Sequence, residues 1–316
     1  MPSLAKLGHV AIVTPDMDKS LWFWGEVLGL EEVERVDDTV YLRGWGEFQH
    51  HSLSLREGPQ GIDHIGWQCG APEDVAAYAE QLQAAGAAVT YVDAGQEPGQ
   101  GEAVRFILPG GGHPFEIYHH MERPLFEDDR RSRLKNQTAR PYRKGISPRA
   151  IDHVNIWCAN PQAAVDFASE QLGFKMRELV RISGGPLVGA WMSVTSLVHD
   201  TAFLGDPQQR DGRFHHVAYF VDSQHDILRA MELLQEAGLQ PDLGPGRHGI
   251  SQAMFVYVRD PGSGHRLEVF SGGYHIFDAD WEPIVWTEAD MKEGLVWWGE
   301  PYMPGTGHVM DETSAC

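Results

Sequence analysis

With 316 residues, 42% of them hydrophobic and 22% charged, the chain has the length of two ordinary domains and the composition of a soluble globular protein. A formal charge of −20, from 25 basic against 45 acidic residues, opposes phosphate neutralisation and argues against a nucleic-acid partner. No run approaches the roughly 18 apolar residues of a membrane span, MPSLAKLGHVAIV lacks the apolar block of a signal peptide, and Cys69, Cys158 and Cys316 have neither disulfide-framework nor zinc-site spacing, so a reducing, cytoplasmic setting is expected.

Along the chain one pattern occurs four times. GHVAIV (8–13), DHIGWQC (63–69), DHVNIWC (152–158) and HHVAYFV (215–221) each set a histidine ahead of an alternating, strand-like apolar run. Each run leads into a helical pattern: DMDKSLWFWGEVLGL, APEDVAAYAEQLQAAG, NPQAAVDFASEQLGF and DSQHDILRAMELLQEAG, with polar starts and glycine at or near the finish. Further strand-like runs follow, among them DTVYLRG, AVRFILP, PLVGAWMSV and MFVYVRD. The reading is an α+β fold of four βαβββ modules. Two form a first domain over 1–121, a polar linker covers 122–148, and two form a second domain over 149–275. The aromatic, Pro-containing segment 276–316 packs over that second domain and ends in a polar tail.

Sixteen histidines direct attention to metal binding and proton transfer. Strand alternation puts His153 and Asn155 on one face and Val154 and Ile156 on the other. His216 holds the matching place one module later, and Glu268 lies between apolar Leu267 and Val269, where an unpaired carboxylate would be costly. Two imidazoles and one carboxylate on such a face can bind an octahedral metal and leave its opposite positions open. Taken singly, each has a plainer explanation: a strand histidine is usually a half-buried, hydrogen-bonded residue, and a strand glutamate usually sits at an edge.

The densest stretch, GPGRHGISQAMFVYVRDPGSGHRLEVFSGG (244–273), together with AIDHVNIW and FHHVAYF, resembles the type I extradiol catechol dioxygenases of the vicinal-oxygen-chelate superfamily, and the resemblance runs from about residue 6 to 299. It implies open, strongly curved sheets around a central funnel. His153, His216 and Glu268 would ligate Fe(II), with Mn(II) as the alternative; in HHV the second histidine takes the ligand role. His199 would be the acid/base residue, His248 an outer histidine, Tyr257 a hydrogen-bond partner of the chelated substrate, and Asn155 and Trp191 pocket residues. A small aromatic diol and O2 would be the reactants, and the assembly a homotetramer. One departure stands out: the turn in DPGSGHRLE is one residue longer than the usual form, an insertion that a turn can absorb.

In the first domain His9, His64 and Glu116 take the triad's repeat positions and His50 resembles His199, but Arg105 replaces Tyr257 and Gln96 falls near the place of His248. That half reads as a non-catalytic relic of duplication. In the branch of the family that opens homoprotocatechuate, basic side chains grip the substrate carboxylate; here Leu243 stands at one such place, and Gly294 and Leu295 replace a pair ahead of Trp297 and Trp298, with Lys292 nearby. The expectation is extradiol cleavage of catechol and small neutral catechols to 2-hydroxymuconic semialdehyde-type products. The alternatives are the same chemistry on a carboxylate-bearing catechol, a glyoxalase-type lyase or isomerase, and a non-enzymatic small-molecule binder.

Overall fold

The computed structural model describes residues 2–182, 185–300 and 314–315. All four expected βαβββ modules form. The first contains β1 (Leu4–Thr14), α1 (Met17–Leu21), β2 (Glu31–Val36), β3 (Thr39–Arg43) and β4 (Leu53–Glu57). The second contains β5 (Gly61–Cys69), α2 (Asp74–Ala84), β6 (Val89–Val92), β7 (Ala103–Ile107) and β8 (Pro114–Tyr118). The third runs through β9 (Ala150–Cys158), α3 (Pro161–Leu172), β10 (Lys175–Arg181), β11 (Leu187–Ser193) and β12 (Thr201–Gly205). The fourth runs through β13 (Arg213–Phe220), α4 (Gln224–Glu236), β14 (Leu243–Arg247), β15 (Met254–Arg259) and β16 (Arg266–Ser271). Each pair of modules shares one sheet, ordered β2-β3-β4-β1-β5-β8-β7-β6 in the first half and β14-β15-β16-β13-β9-β12-β11-β10 in the second. Thus the histidine-bearing first strands of paired modules lie side by side at the centre of each sheet.

Local chemistry accounts for the helix ends. Asp16 and Asn160 accept N–H groups of the first turns of α1 and α3, Ser223 and Asp226 form a capping box on α4, and Gly173 closes α3 in the left-handed conformation. The first helical pattern departs from a plain α-helix: after Leu21 it widens into a π-helix over Trp22–Val27. That extra residue per turn lets Phe23, Trp24 and Val27 all bury.

One apolar core joins the two halves, since Trp67 packs edge-on against Phe174 with ring centroids 4.9 Å apart, and Ser52 and Tyr219 meet at 2.9 Å. The longer turn of DPGSGHRLE contributes to this junction. There Asp260 accepts hydrogen bonds from Ser20, Trp24, Ser263 and the Gly262 N–H, so the added residue is absorbed where the second half docks on the first. The segment expected to be a linker lies against the first sheet: the Arg130 guanidinium donates to the Glu32 carbonyl, Thr138 donates to the Trp45 carbonyl, and Phe126 and Ala139 cluster with Trp45. Beyond Ser271 the chain returns over the second sheet as β17 (Ile284–Trp286), parallel to β10, and α5 (Met291–Leu295). Short β18 (Ser314–Ala315) pairs antiparallel with β13, and most of the expected polar tail lies outside the described residues. Among the described residues no helix is long and apolar enough to cross a membrane.

Candidate metal centre

Strands β9, β13 and β16 are neighbours, and each sends one ligand-type side chain to the same point. His153 Nε2 lies 3.1 Å from His216 Nε2 and 3.0 Å from Glu268 Oε2, and His216 Nε2 is 3.0 Å from the same oxygen. Irregular register between Phe214 and His216 turns the second histidine of the pair, not His215, into this group. Val154, Ile156 and Val217 point the opposite way into the core, as strand alternation requires.

Hydrogen bonding fixes what these atoms present. The Asp152 carboxylate, 2.7 Å from His153 Nδ1, accepts a hydrogen bond from Nδ1–H and holds the proton on that side, which leaves the neutral ring a bare lone pair at Nε2. His215 contacts His216 through Nδ1 in the same manner. Two imidazole lone pairs and a carboxylate oxygen about 3 Å apart, all buried, need a positive charge among them. Glu268 Oε1 is itself buried, and among the described residues it has no well-formed hydrogen bond, His248 Nε2 lying 3.4 Å away. This donor set fits a divalent ion with open positions on its far side. Without the ion, a proton takes its place. Burial disfavours charge on His153, but hydrogen bonds to Asp152 and Glu268 and their charges outweigh it and lift the ring to about 9. Burial pushes His216 down to about 4. Burial would raise Glu268, yet His216 and the hydrogen bonds from the surrounding histidines hold it well below the usual carboxylate range.

A proton and a metal therefore compete for one position. Metal uptake by the apoprotein near neutral pH is expected to release one proton per ion, the one on His153, and release should fade as pH rises through about 9. Calorimetric titration in buffers of different ionisation enthalpy measures the count; uptake without proton release near neutrality would contradict the arrangement.

Above the triad opens a small, partly enclosed cavity. The structure brings His199, His248, Tyr257, Asn155 and Trp191 to its wall together with the triad. His199, just before β12, sets its ring 4.1 Å from that of His153. Its Nδ1 is buried without a partner among the described residues, and burial, aided by the neighbouring His153, pushes its pKa well below the ordinary histidine value. His248 stacks on Phe255 at 3.8 Å and directs Nδ1 to the Leu295 carbonyl, an acceptor only, so its Nε2 accepts from the Tyr257 hydroxyl at 3.1 Å. Tyr257 lies directly across the ladder from Glu268. Burial and then the Glu268 charge raise its phenol well above the ordinary range.

Leu243 is a correction to the sequence reading. It does not line the cavity but packs beneath it against Phe255, Tyr257 and Val296, because at the edge of the sheet its register partner is Tyr257 itself. Sequence reasoning missed Leu204, Ile250, Ser251 and Phe270, which do line it. Ile250 and Ser251 fall inside the 244–273 motif, and the GRHG glycine beside them was the available signal. Ser251 turns with φ +67°, its N–H held by Glu178 at 2.8 Å, while the Ile250 N–H is held by the Gly294 carbonyl at 2.8 Å. Asp152 was also missed, although an aspartate precedes the histidine in both DHI and DHV.

Comparison with known proteins finds relatives along nearly the whole chain. Residues 150–269 match the Glyoxalase/Bleomycin resistance protein/Dioxygenase superfamily, and residues 62–122 match the Catechol 2,3-dioxygenase-like N-terminal domain. The manganese-dependent 2,3-dihydroxybiphenyl 1,2-dioxygenase of Geobacillus genomosp. 3 is 51% identical over 99% of both chains. Among solved structures, the 2,3-dioxygenase LapB of Pseudomonas sp. KL28 superposes with a TM-score of 0.82 at 31% identity, covering 92% of this chain and 99% of that one. Homoprotocatechuate 2,3-dioxygenase from Arthrobacter globiformis superposes with a TM-score of 0.85 at 28% identity, covering 99% and 96%. The chain belongs to the type I extradiol dioxygenases of the vicinal-oxygen-chelate superfamily. It is a ring-cleaving dioxygenase of aromatic catabolism, and its centre suits Fe(II) or Mn(II).

Proposed function

We propose that this dioxygenase opens neutral catechols beside the two hydroxyls, accepting catechol itself and rings with apolar substituents, and giving 2-hydroxymuconic semialdehyde-type products. The observation that carries the substrate reading is the wall of the cavity: no lysine or arginine lines it among the described residues. Trp191, Leu204, Ile250, Phe270 and Leu295 supply apolar surface, and Lys292 is exposed outside it. A substrate carboxylate there would lose water without gaining a charge-assisted partner, a penalty of several kcal/mol. An aryl or alkyl group would meet apolar surface there. The Geobacillus relative, named for 2,3-dihydroxybiphenyl, favours extending the range to an aryl substituent.

In this reading His153, His216 and Glu268 hold the ion. An ion held by these residues would supply one centre where catechol and O2 could meet, so that a three-body encounter would become a reaction between neighbours. His248 Nε2, backed by the Tyr257 hydroxyl, takes a proton from the incoming catechol, and Glu268 Oε1, 3.4 Å from that nitrogen, stabilises the charge. His199, on another side of the same centre, moves a proton to oxygen as the O–O bond breaks. Asn155 and Trp191 orient the ring.

The test is kcat/KM for catechol, 3-methylcatechol, 2,3-dihydroxybiphenyl and homoprotocatechuate with the metal-loaded enzyme. If about 1.4 kcal/mol of the carboxylate penalty reaches the transition state, neutral rings are favoured by about tenfold. A tenfold preference for homoprotocatechuate would refute the neutral cavity. Colour formation without oxygen-dependent loss of catechol would refute the reaction.

A further inference from the structure

The first sheet carries a second group of ligand-type side chains in the matching place. His9 on β1, His64 on β5 and Glu116 on β8 repeat the positions of His153, His216 and Glu268, and Glu97 from the loop before β7 joins them, all four buried. His9 Nε2 and His64 Nε2 are 2.9 Å apart; His64 Nε2 is 3.2 Å from Glu97 Oε2; both nitrogens lie 3.6–3.7 Å from Glu116 Oε1. Donors bound about 2.1 Å from one ion lie roughly 3.0–3.5 Å from each other, so the spacing is that of a two-nitrogen, two-oxygen metal site. Asp63 accepts from His64 Nδ1 at 2.8 Å, as Asp152 does from His153.

The two centres part at one ladder position. Tyr257 faces Glu268 across its ladder, whereas Arg105 faces Glu116. Arg105 Nε donates to Glu116 Oε2 at 2.5 Å, and its Nη2 lies 3.1 Å from Glu97 Oε2 and 3.4 Å from His64 Nε2. The remaining carboxylate oxygens are served by Gln100, 2.8 Å from Glu116 Oε1, and His51, 2.9 Å from Glu97 Oε1. Every carboxylate oxygen of this cluster has a donor within 3.1 Å, while the nearest donor-type nitrogen to Glu268 Oε1 that the described residues offer is His248 Nε2 at 3.4 Å.

We propose that the N-terminal cluster is a divalent-metal site of His9, His64, Glu97 and Glu116 that Arg105, the guanidinium paired with both carboxylates, keeps closed by standing in for the ion's charge. A guanidinium cannot be deprotonated in a protein and binds carboxylates through fixed, paired donors. Being tethered, it acts at a high effective concentration that a free ion must overcome. Withdrawing Arg105 leaves two buried carboxylates without their guanidinium beside two imidazoles, a donor set suited to Mn(II), Fe(II) or Zn(II), with the neutral Gln100 amide the weaker competitor for Glu116.

The experiment compares wild type with Arg105→Gln, and with Arg105→Tyr as the repeat counterpart should the glutamine variant fold poorly. Each is stripped, reconstituted with Mn(II), desalted and assayed for metal per chain. The Arg105 variants are expected to hold one ion more than wild type, to lose it when His64→Ala is added, and to show a larger Mn(II)-dependent rise in Tm. Equal metal content in wild type and well-folded Arg105 variants would overturn the proposal. So would a fall in metal content when His64→Ala is introduced with Arg105 in place, since the site would then already be open.

Discussion

Glu268→Ala is expected to lose its metal and its ring-cleaving activity together while keeping its fold. The carboxylate is the sole anion among the three converging ligand atoms, and its Oε2 lies 3.0 Å from both imidazole nitrogens. Without it two neutral imidazoles would have to hold a labile divalent ion against water. Removing a mere outer partner of a metal ligand costs about 10–100-fold in affinity or activity, so loss of the ligand itself should exceed that range. Asp152→Asn, which touches only His153 Nδ1, supplies the smaller effect for comparison. The fold should survive, because Leu267 and Val269 anchor the strand in the core and one buried charge is removed. His153→Ala and His216→Ala should behave like Glu268→Ala. Metal analysis beside circular dichroism decides it: a well-folded Glu268→Ala with wild-type metal content would displace Glu268 from the centre.

The repeat carried most of what was legible. A histidine ahead of an alternating run marks the first strand of every module, and because paired modules set those strands side by side, the same residues that signal the fold also assemble the site. Glu116 and Glu268 were legible for a related reason: a lone carboxylate in an apolar strand needs a partner, and both have one. What stayed hidden depended on contacts between distant segments. Leu243 sits at the right sequence distance from His248, but its side chain packs under Tyr257, an outcome set by pairing between β14 and β15. Ile250 and Leu295 meet at the cavity only because the Gly294 carbonyl accepts the Gly249 and Ile250 N–H groups. Glu97 gave no signal at all, since it lies in a loop outside the repeat and reaches its cluster through His51 and Arg105.

His199→Ala or His199→Asn is expected to keep the metal, still bind catechol, and react with O2 far more slowly or release it partly reduced. His199 touches none of the converging ligand atoms by hydrogen bond, so nothing in its removal should empty the centre. Its ring nevertheless lies 4.1 Å from His153 on the cavity wall, and Nδ1 has no protein partner. A buried imidazole nitrogen left unpaired carries a standing cost unless something entering the cavity pairs with it. Burial above all keeps the free ring neutral near neutral pH, with a nitrogen free to relay the proton that passes to oxygen as the O–O bond breaks. Such acid/base contributions are of order 10²–10⁴-fold, and that is the expected loss in kcat. Mixing the anaerobic catechol complex of each variant with oxygenated buffer separates the oxygen step from substrate binding. The loss should fall on the oxygen step, with catechol affinity close to that of wild type. An unchanged turnover number across the pH range, at full metal content, would remove His199 from proton transfer.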